Sequence, residues 1–519
     1  MPATIFGRGA AIAALASLFA APLVARSSAQ EPAPARPPLR ASAFVALDDP
    51  SLPLIEHLIA RGDIDDPSPM VRPFRRADAR RVLAAADSTA VAPALLRELR
   101  QRYAEPDAEA WWGVAARAGA QAYTQLRREP LHLGGPDGAK PYADVSLEAG
   151  FANVIAVTRP AIEPRVVDDP DWTGRRGIDL AGRLVEGYVG AQFRFIELTY
   201  GQLDHNWGPA GLPGIPLSNY GYERQGLMLS LGTPSLRLTA LATDLRDGTD
   251  SGGVSVHRYY FVHRLGVRLS RRLDVALWEG NVVSGAGRNF ETRYRNPLSF
   301  SYLTNTIGLG DDRGNVMLGA DLRWRAARGL ILETQLALDD FWYQDRDQNR
   351  DRWAFTVAGS GPLGRRAGWR ALYTQVSSLA LRAFNRAENF TDGGVGIGRN
   401  FSDQDQLTLR VSVPVRSTWL FTPEATLLRQ GEGRIEDPYP ALGSAELAAT
   451  PALFIGTVER TWRLALGLSG RQGPLAITAD AGVHHVINAG HVAGARDDRF
   501  VARVQATLGI SRRGTLRTD

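Results

Sequence analysis

Five polar or aromatic side chains in one predicted loop are the candidates for ligand binding in this sequence. The loop spans residues 204–223 and lies between two strand-like runs. Sugars are recognised by aromatic rings that stack on C–H surfaces and by planar groups that form hydrogen bonds. The loop carries both kinds of group, in Asp204, Asn206, Trp207, Asn219 and Tyr220. We therefore predict a saccharide-binding element, with the alternative that Trp207 only anchors the loop in the mouth of the fold.

Metal chemistry has one candidate, a run of acidic and amide residues that resembles a calcium loop. The run comprises Asp345, Asp347, Asn349 and Asp351. A calcium loop requires glycine at its sixth position and a bidentate glutamate at its end, where this chain has arginine and threonine. We therefore interpret the run as a solvated loop and predict no metal ligand and no cofactor.

The sequence also lacks a complete set of catalytic groups. His484 and His485 are adjacent in a predicted strand, so their side chains face opposite sides and cannot share a metal with His491 in regular geometry. The pair Asp204 and His205 has no nucleophilic serine of the G-x-S-x-G type beside it. We predict no catalytic residue and no enzyme activity.

The elements that must position the loop are strands. The run before it alternates apolar residues with polar or small ones, which places two different faces on a strand. Similar runs recur to residue 510, joined alternately by short turns and long polar loops. Strands of about ten residues with this alternation are typical of a transmembrane antiparallel β-barrel, here of about 18 strands.

Several segment assignments decide the strand count. The pattern predicts single strands over residues 143–158 and 394–399, and a long loop over 246–257. It also places two strands, 184–192 and 195–203, before the loop at 204–223. Four strands therefore precede the loop. An odd number is needed if the loop and the amino terminus lie on opposite sides of the membrane. Merging those two strands is one way to obtain an odd number.

Composition excludes several classes of protein. The chain has no cysteine, so it has no disulfide or thiolate site. Its 60 Lys+Arg against 55 Asp+Glu are nearly balanced, and we do not expect nucleic-acid binding. Arginine favours planar, bidentate anionic partners. We expect arginine–carboxylate ladders inside the barrel, with acidic polymers or lipid phosphates as the alternative partners.

The chain divides into four segments. Residues 1–29 have the layout of a secretory signal peptide, and residues 30–40 form a Pro/Ala-rich linker. Helical periodicity over residues 41–108 predicts a small α-helical domain, and the barrel occupies residues 109–519.

Two parts of the sequence resemble the capsule-assembly Wzi family of outer-membrane proteins. One is residues 44–86, which begin FVALDDPSLPLIEHLIARGD. The other is an ordered set of short motifs, Gly201-Gln202, Trp207-Gly208-Pro209 and Leu217-Ser218-Asn219. The likeness extends from about residue 41 to residue 510. The helical segment alone also resembles an S-layer-homology repeat, which would tether the chain to a cell-wall polymer.

The resemblance implies a fold, a location and a role. The helical part would be periplasmic and the barrel would lie in the outer membrane of a Gram-negative envelope. The protein would be lectin-like, binding surface or capsular polysaccharide and attaching it without catalysis. Expected partners are the polysaccharide, outer-membrane lipid and a periplasmic or cell-wall component at the helical domain, and we expect a monomer. The alternative function is an outer-membrane diffusion porin for small or sugar-like solutes.

Overall fold

The computed structural model describes residues 40–86, 91–250, 252–287, 296, 298–300, 314–340, 350–441 and 443–516. The predicted signal peptide and most of the linker lie outside this part of the chain. Eighteen antiparallel strands form a closed barrel, which confirms the predicted fold class. The strands are β1 Ala110–Tyr123, β2 Gly138–Phe151, β3 Val154–Ile162, β4 Gly182–Gln192, β5 Ile196–Gln202, β6 Gln225–Gly232, β7 Leu236–Thr249, β8 Ser255–Ser270, β9 Leu273–Gly285, β10 Gly314–Ala327, β11 Leu330–Asp340, β12 Arg352–Leu363, β13 Ala367–Val376, β14 Gln404–Val415, β15 Trp419–Gln430, β16 Glu459–Gln472, β17 Leu475–Ile487 and β18 Arg496–Thr515.

Each strand pairs with its neighbours in sequence, and the last strand closes the ring on the first. β1 pairs with β2 on one side and with β18 on the other, where Trp111 lies opposite Thr515. Arg512 and Arg513, near the carboxyl terminus, therefore belong to β18.

The two faces of the strands carry different side chains. In β16, Trp462, Leu464 and Leu466 point outward and are 53%, 65% and 56% exposed, whereas the intervening Arg463 is 1% exposed. Apolar side chains facing outward and polar ones facing inward are typical of a barrel whose outer surface contacts lipid.

Connections alternate in length around the ring. Those at one end, here called the turn end, contain no more than three residues, and most at the other, the loop end, are longer. The connection between β7 and β8 is an exception at the loop end. Both strands extend beyond the prediction and leave only residues 250–254 between them, so the long loop predicted over 246–257 is wrong.

Two errors in the predicted strands cancel in the total. Residues 143–158 form two strands, because the chain turns at Ala152, whose φ is 47°. Residues 394–399 contribute no barrel strand; Val395–Gly396 instead pairs with Thr391–Asp392 inside a loop. Phe193 donates its N–H to the Ile196 carbonyl at 2.7 Å, so β4 and β5 are separate strands.

The corrected order removes the parity problem. Five strands precede the loop that follows Gln202. An odd number of strands places that loop at the end of the barrel opposite to the end where the chain enters β1.

In the described part of the chain, three short helices precede the barrel: α1 Leu52–Arg61, α2 Arg76–Ala84 and α3 Pro93–Arg102. Proline in the first turn of α1 and a left-handed Gly62 after its last residue set the two ends of that helix. The apolar faces pack together through Ile55, Leu83 and Leu96. None of the helices in the described part of the chain is long and apolar enough to cross a membrane.

The helices also contact the barrel. His57 Nδ1 lies 2.6 Å from Ser412 Oγ of β14, and Arg61 donates to the Arg365 carbonyl in the β12–β13 turn at 3.1 Å. These contacts hold the helices against the turn end. Residues 39–519 accordingly belong to one compact unit.

Candidate functional site

The predicted binding loop, residues 204–223, pairs with a segment that precedes the barrel. Asn206–Trp207 forms a short antiparallel pair with Val71–Arg72, which lies between α1 and α2. Proline residues restrict the backbone of this loop, and such restriction lowers the entropy lost when the loop holds one shape. The loop from the loop end and the helical segment from the turn end therefore meet inside the barrel.

Trp207 is at the centre of this contact. Its side chain is 0% exposed and packs among inward-facing barrel residues that include Tyr260 and Trp278. Gln335 of β11 donates to the Trp207 carbonyl at 3.0 Å. The indole has no free face for stacking on a sugar, so the geometry corresponds to the anchoring alternative.

Close backbone contacts fix the rest of the loop. A Cβ on Gly214 would lie 2.0 Å from the Trp207 carbonyl oxygen, and one on Gly398 would lie 1.9 Å from the Ile215 carbonyl oxygen. Only glycine permits such approaches. Tyr260 of β8 also donates to the Pro216 carbonyl at 2.6 Å. The loop is thus packed against the barrel wall and against residues 377–403.

This contact surface is called the packed half of the lumen. It consists of the inward faces of β6–β13 together with Trp207, Ile215 and Leu217. The other half contains a cavity of about 630 Å³, bounded mainly by β1, β14–β18, the loop at 124–137 and part of the binding loop. This space is called the polar cavity.

Four of the five candidate residues line the polar cavity: Asp204, Asn206, Asn219 and Tyr220. Tyr220 donates to Asp171 at 2.9 Å, and its ring lies edge-on to Phe401 with centroids 5.7 Å apart. Asn206 is buried and bridges the loop, donating to the Leu212 carbonyl at 3.2 Å and accepting from the Gly214 N–H at 2.7 Å. Asn206 therefore supports the loop as well as the cavity wall.

Asp204 is the acidic candidate. Burial, and then the nearby Glu223 carboxylate, raise the pKa of Asp204 well above its usual value. Burial and the Arg224 guanidinium lower the pKa of the adjacent His205 to about 4. A neutral carboxyl beside a neutral imidazole can donate or accept hydrogen bonds.

The wall of the polar cavity contains residues that sequence reasoning did not identify as site residues. Amide side chains are frequent there, in Gln121, Gln125, Asn400, Gln404, Gln406 and Gln505. Amides can donate and accept hydrogen bonds at once, which suits hydroxyl-rich ligands. For the amides that lie in strands, the alternation of side chains predicts that they face the barrel interior. Alternation alone does not show which of the inward side chains border open space.

Ion pairs cross the same wall. Arg463 bridges Glu424, at 2.6 Å, and Asp480, and Arg410 also pairs with Glu424. Elsewhere on the inner face Arg264 pairs with Asp321 at 3.0 Å. The predicted arginine–carboxylate ladders are therefore present.

Of the remaining predicted motifs, the adjacent histidines lie in the described part of the chain, whereas most of the candidate calcium loop does not. His484 is buried, whereas His485 is exposed and lies 2.6 Å from Asp498, as expected for neighbours on a strand. Asp345, Asp347 and Asn349 lie outside the described residues. Within the described ranges, no group of three or more histidine, aspartate or glutamate side chains is placed to hold a metal.

Comparisons by sequence identify no relative: no family model matches the chain, and no curated protein does. Comparison of structures gives a clear result. Wzi from Escherichia coli, described as an outer-membrane protein involved in group 1 capsule assembly and a carbohydrate-binding β-barrel, superposes with a TM-score of 0.61. The match covers 90% of this chain and 99% of Wzi at 12% identity.

The chain has the fold of Wzi. The resemblance expected from the sequence is confirmed at the level of fold. Two other solved structures are less similar: Pseudomonas aeruginosa OccK11 has a TM-score of 0.43 at 12% identity, covering 78% of this chain and 96% of its own. Acinetobacter baumannii OccAB2 has a TM-score of 0.42 at 11% identity, covering 78% and 98%. Scores this low carry no argument.

Proposed function

We propose that this protein is a non-enzymatic outer-membrane barrel that binds a surface polysaccharide and takes part in attaching or assembling it as a capsule. The observation that carries the proposal is the polar cavity, a space of about 630 Å³ bordered by the binding loop, with amides, tyrosines and arginines on its wall. Its volume is in the range of small-molecule sites, so it would hold a few sugar units of a longer chain.

The chemistry of the wall supports a saccharide ligand. Sugar hydroxyls need partners that donate and accept hydrogen bonds, which amides and tyrosine hydroxyls supply. Asn219 and Tyr220 contribute such groups from the binding loop, and Tyr123 adds a further ring. Asp204, in its neutral form, adds another hydrogen-bonding group. Trp207 would act indirectly, by holding the loop in place.

We propose that the loop end faces the cell exterior and that residues 41–108 form the periplasmic part. The odd number of strands before the binding loop supports this arrangement, since it separates the helices from that loop. An external cavity could receive a polymer at the cell surface. Contact of the helices with a periplasmic or cell-wall component stays part of the proposal, as does a monomeric state.

A diffusion porin is the second candidate function. The observation that favours it is the barrel of eighteen strands, which is wide enough to enclose an aqueous channel. The packed half weighs against it, because Val71–Arg72 and Asn206–Trp207 occupy the interior. A porin would have to conduct through the polar cavity alone or displace this pair.

Two measurements test the proposal. In cells, loss of the protein should decrease the polysaccharide retained at the surface and increase the amount shed into the medium. In planar bilayers, the purified protein should conduct poorly. Unchanged retention together with steady, large conductance would contradict the binding role and support the porin.

A further inference from the structure

Three arginines on the wall of the polar cavity form no ion pair with any residue that the structure describes. They are Arg128, Arg399 and Arg503, and they come from three different elements. Arg128 lies in the β1–β2 loop, Arg399 in residues 377–403 and Arg503 in β18. Arginine keeps its charge at neutral pH, and a charge near a buried surface is stabilised by an anion.

Arg399 is the clearest case. It is 3% exposed, and it donates from Nη2 to Thr356 Oγ1 at 2.7 Å, while its Nε has no partner. Burial lowers the pKa of Arg399 to about 10, and no neighbouring carboxylate offsets this effect. A buried guanidinium with an unused donor on a cavity wall is suited to bind an anion from the cavity.

The other two arginines are held in place by neutral contacts. Arg128 donates to the Gly221 carbonyl at 2.8 Å, and its guanidinium lies 3.9 Å from the centre of the Tyr222 ring. Arg503 donates to the Arg128 carbonyl at 2.5 Å. The contacts that hold both side chains in place are thus formed with neutral groups and not with a carboxylate.

The carboxylates of the cavity, in contrast, mostly have cationic partners. Glu163 accepts from Arg165 and from Arg183, each at 2.7 Å. Glu424 and Asp480 share Arg463. Asp204 forms no ion pair within the described residues, but burial beside Glu223 favours its neutral form. The charges that remain uncompensated in the cavity are therefore mainly positive.

We infer that the polar cavity selects anionic sugar units, and that Arg399, together with Arg128 and Arg503, binds their carboxylate groups. The inference rests on the proposed polysaccharide-binding function and adds the class of sugar to it. A planar carboxylate matches the fork of a guanidinium and can accept two hydrogen bonds from it. The surrounding amides would then bind the hydroxyls of the same unit.

Calorimetric titration of the purified, detergent-solubilised protein tests the inference. The two ligands are tetragalacturonate, which carries carboxylates, and maltotetraose, a neutral chain of the same length. We expect tetragalacturonate to bind more tightly, with an affinity that falls as salt is added. Arg399→Gln should weaken tetragalacturonate binding about tenfold or more and weaken maltotetraose binding much less.

Matched variants separate charge at the cavity from charge elsewhere. Arg503→Gln should also weaken tetragalacturonate binding; its exposed position makes a folding defect less of a concern than at the buried Arg399. Arg328→Gln, in the exposed β10–β11 turn at the other end of the barrel, removes the same charge and should change nothing. Heat-modifiable gel migration reports folding, and Arg503→Gln carries the test if Arg399→Gln does not fold.

The outcomes distinguish this inference from the proposed function. Equal binding of the charged and neutral tetramers, or unchanged affinity in both cavity variants, would overturn the selection of anionic sugars while leaving polysaccharide binding intact. Tighter binding of galactose 6-phosphate than of galacturonate would overturn the assignment to carboxylate. Failure of every saccharide to bind, with normal polymer retention in cells lacking the protein, would remove the proposed function itself.

Discussion

The packed half and the polar cavity are built by the same barrel from the same alternation of residues, yet they have opposite character. On β8 and β9, Tyr260 and Trp278 face inward and pack around Trp207. On β14 and β16, Arg410 and Arg463 face inward and border open space. The difference comes from how closely each half is filled, because Trp207, Ile215 and Leu217 pack into the first, whereas the binding loop only borders the second. Inward parity alone therefore does not distinguish a core from a site.

The largest expected effect is in the packed half. Trp207→Ala should destabilise the folded protein by about 3 to 5 kcal/mol, since it removes a fully buried indole and leaves a cavity. Urea unfolding followed by gel migration measures the change. Trp462→Ala is the matched control, because Trp462 is 53% exposed on the outer face and should cost far less. Equal losses in the two variants would contradict a packed core at Trp207.

A second prediction concerns the anchor of the helical segment. Asp66 is buried and lies 3.1 Å from Arg72 and 3.7 Å from Arg323 on the barrel wall. Asp66→Ala leaves both arginines short of a counter-charge, and it should weaken docking of this segment by about 3 kcal/mol. We expect increased ion conductance in planar bilayers.

The same carboxyl gives a pH dependence. Burial alone would raise the pKa of Asp66, but Arg72 and Arg323 together lower it below its ordinary value of 3.8. Its stabilising contribution is therefore complete above pH 3.8 and is lost as pH falls through the lower, folded value. Conductance of the natural protein should rise in that acidic range, whereas Asp66→Ala should conduct at all pH values. A flat pH profile in the natural protein would exclude this anchor.

A smaller effect is expected at the polar cavity. Asn219→Ala removes an amide from the cavity wall and should weaken binding of the surface polymer about fivefold, the equivalent of one hydrogen bond. Stability should change little, since the Asn219 side chain is not part of the packed half. Polymer retention on cells and unfolding in urea are measured together. A loss of stability without a loss of polymer retention would indicate that Asn219 supports the fold and does not bind the polymer.

The smallest effect is expected for Asp204→Asn. Because burial raises the pKa of Asp204, ionisation favours the unfolded state, and stability should fall as pH rises from 3.8 towards the raised value. The amide cannot ionise, so the variant should lack this dependence and be at least as stable at neutral pH, by no more than about 1 kcal/mol. Polymer retention should be unchanged. A marked loss of retention would mean that the charged form binds the ligand.

Particular elements show how far sequence reasoning reached. The small helical domain, the barrel and the arginine–carboxylate ladders follow from periodicity and composition, which are local signals. The turn at Ala152 was missed because no glycine, proline or asparagine marks its first position, and a left-handed alanine is not expected. The glycine-rich segment near residue 396 looked like a strand, although its glycines serve close backbone contacts.

The sequence by itself determined the architecture and identified a candidate binding loop, since an alternating pattern admits few folds and five polar or aromatic residues cluster in one connection. Tertiary structure decided what each of those residues does. Trp207 is a core residue because Val71–Arg72, more than a hundred positions earlier in the chain, pairs with its segment. Closure of the barrel brings three distant arginines to the wall of one cavity, namely Arg128, Arg399 and Arg503. Contacts between residues so distant in the chain depend on which strands and loops the ring brings together, and no local pattern encodes those meetings.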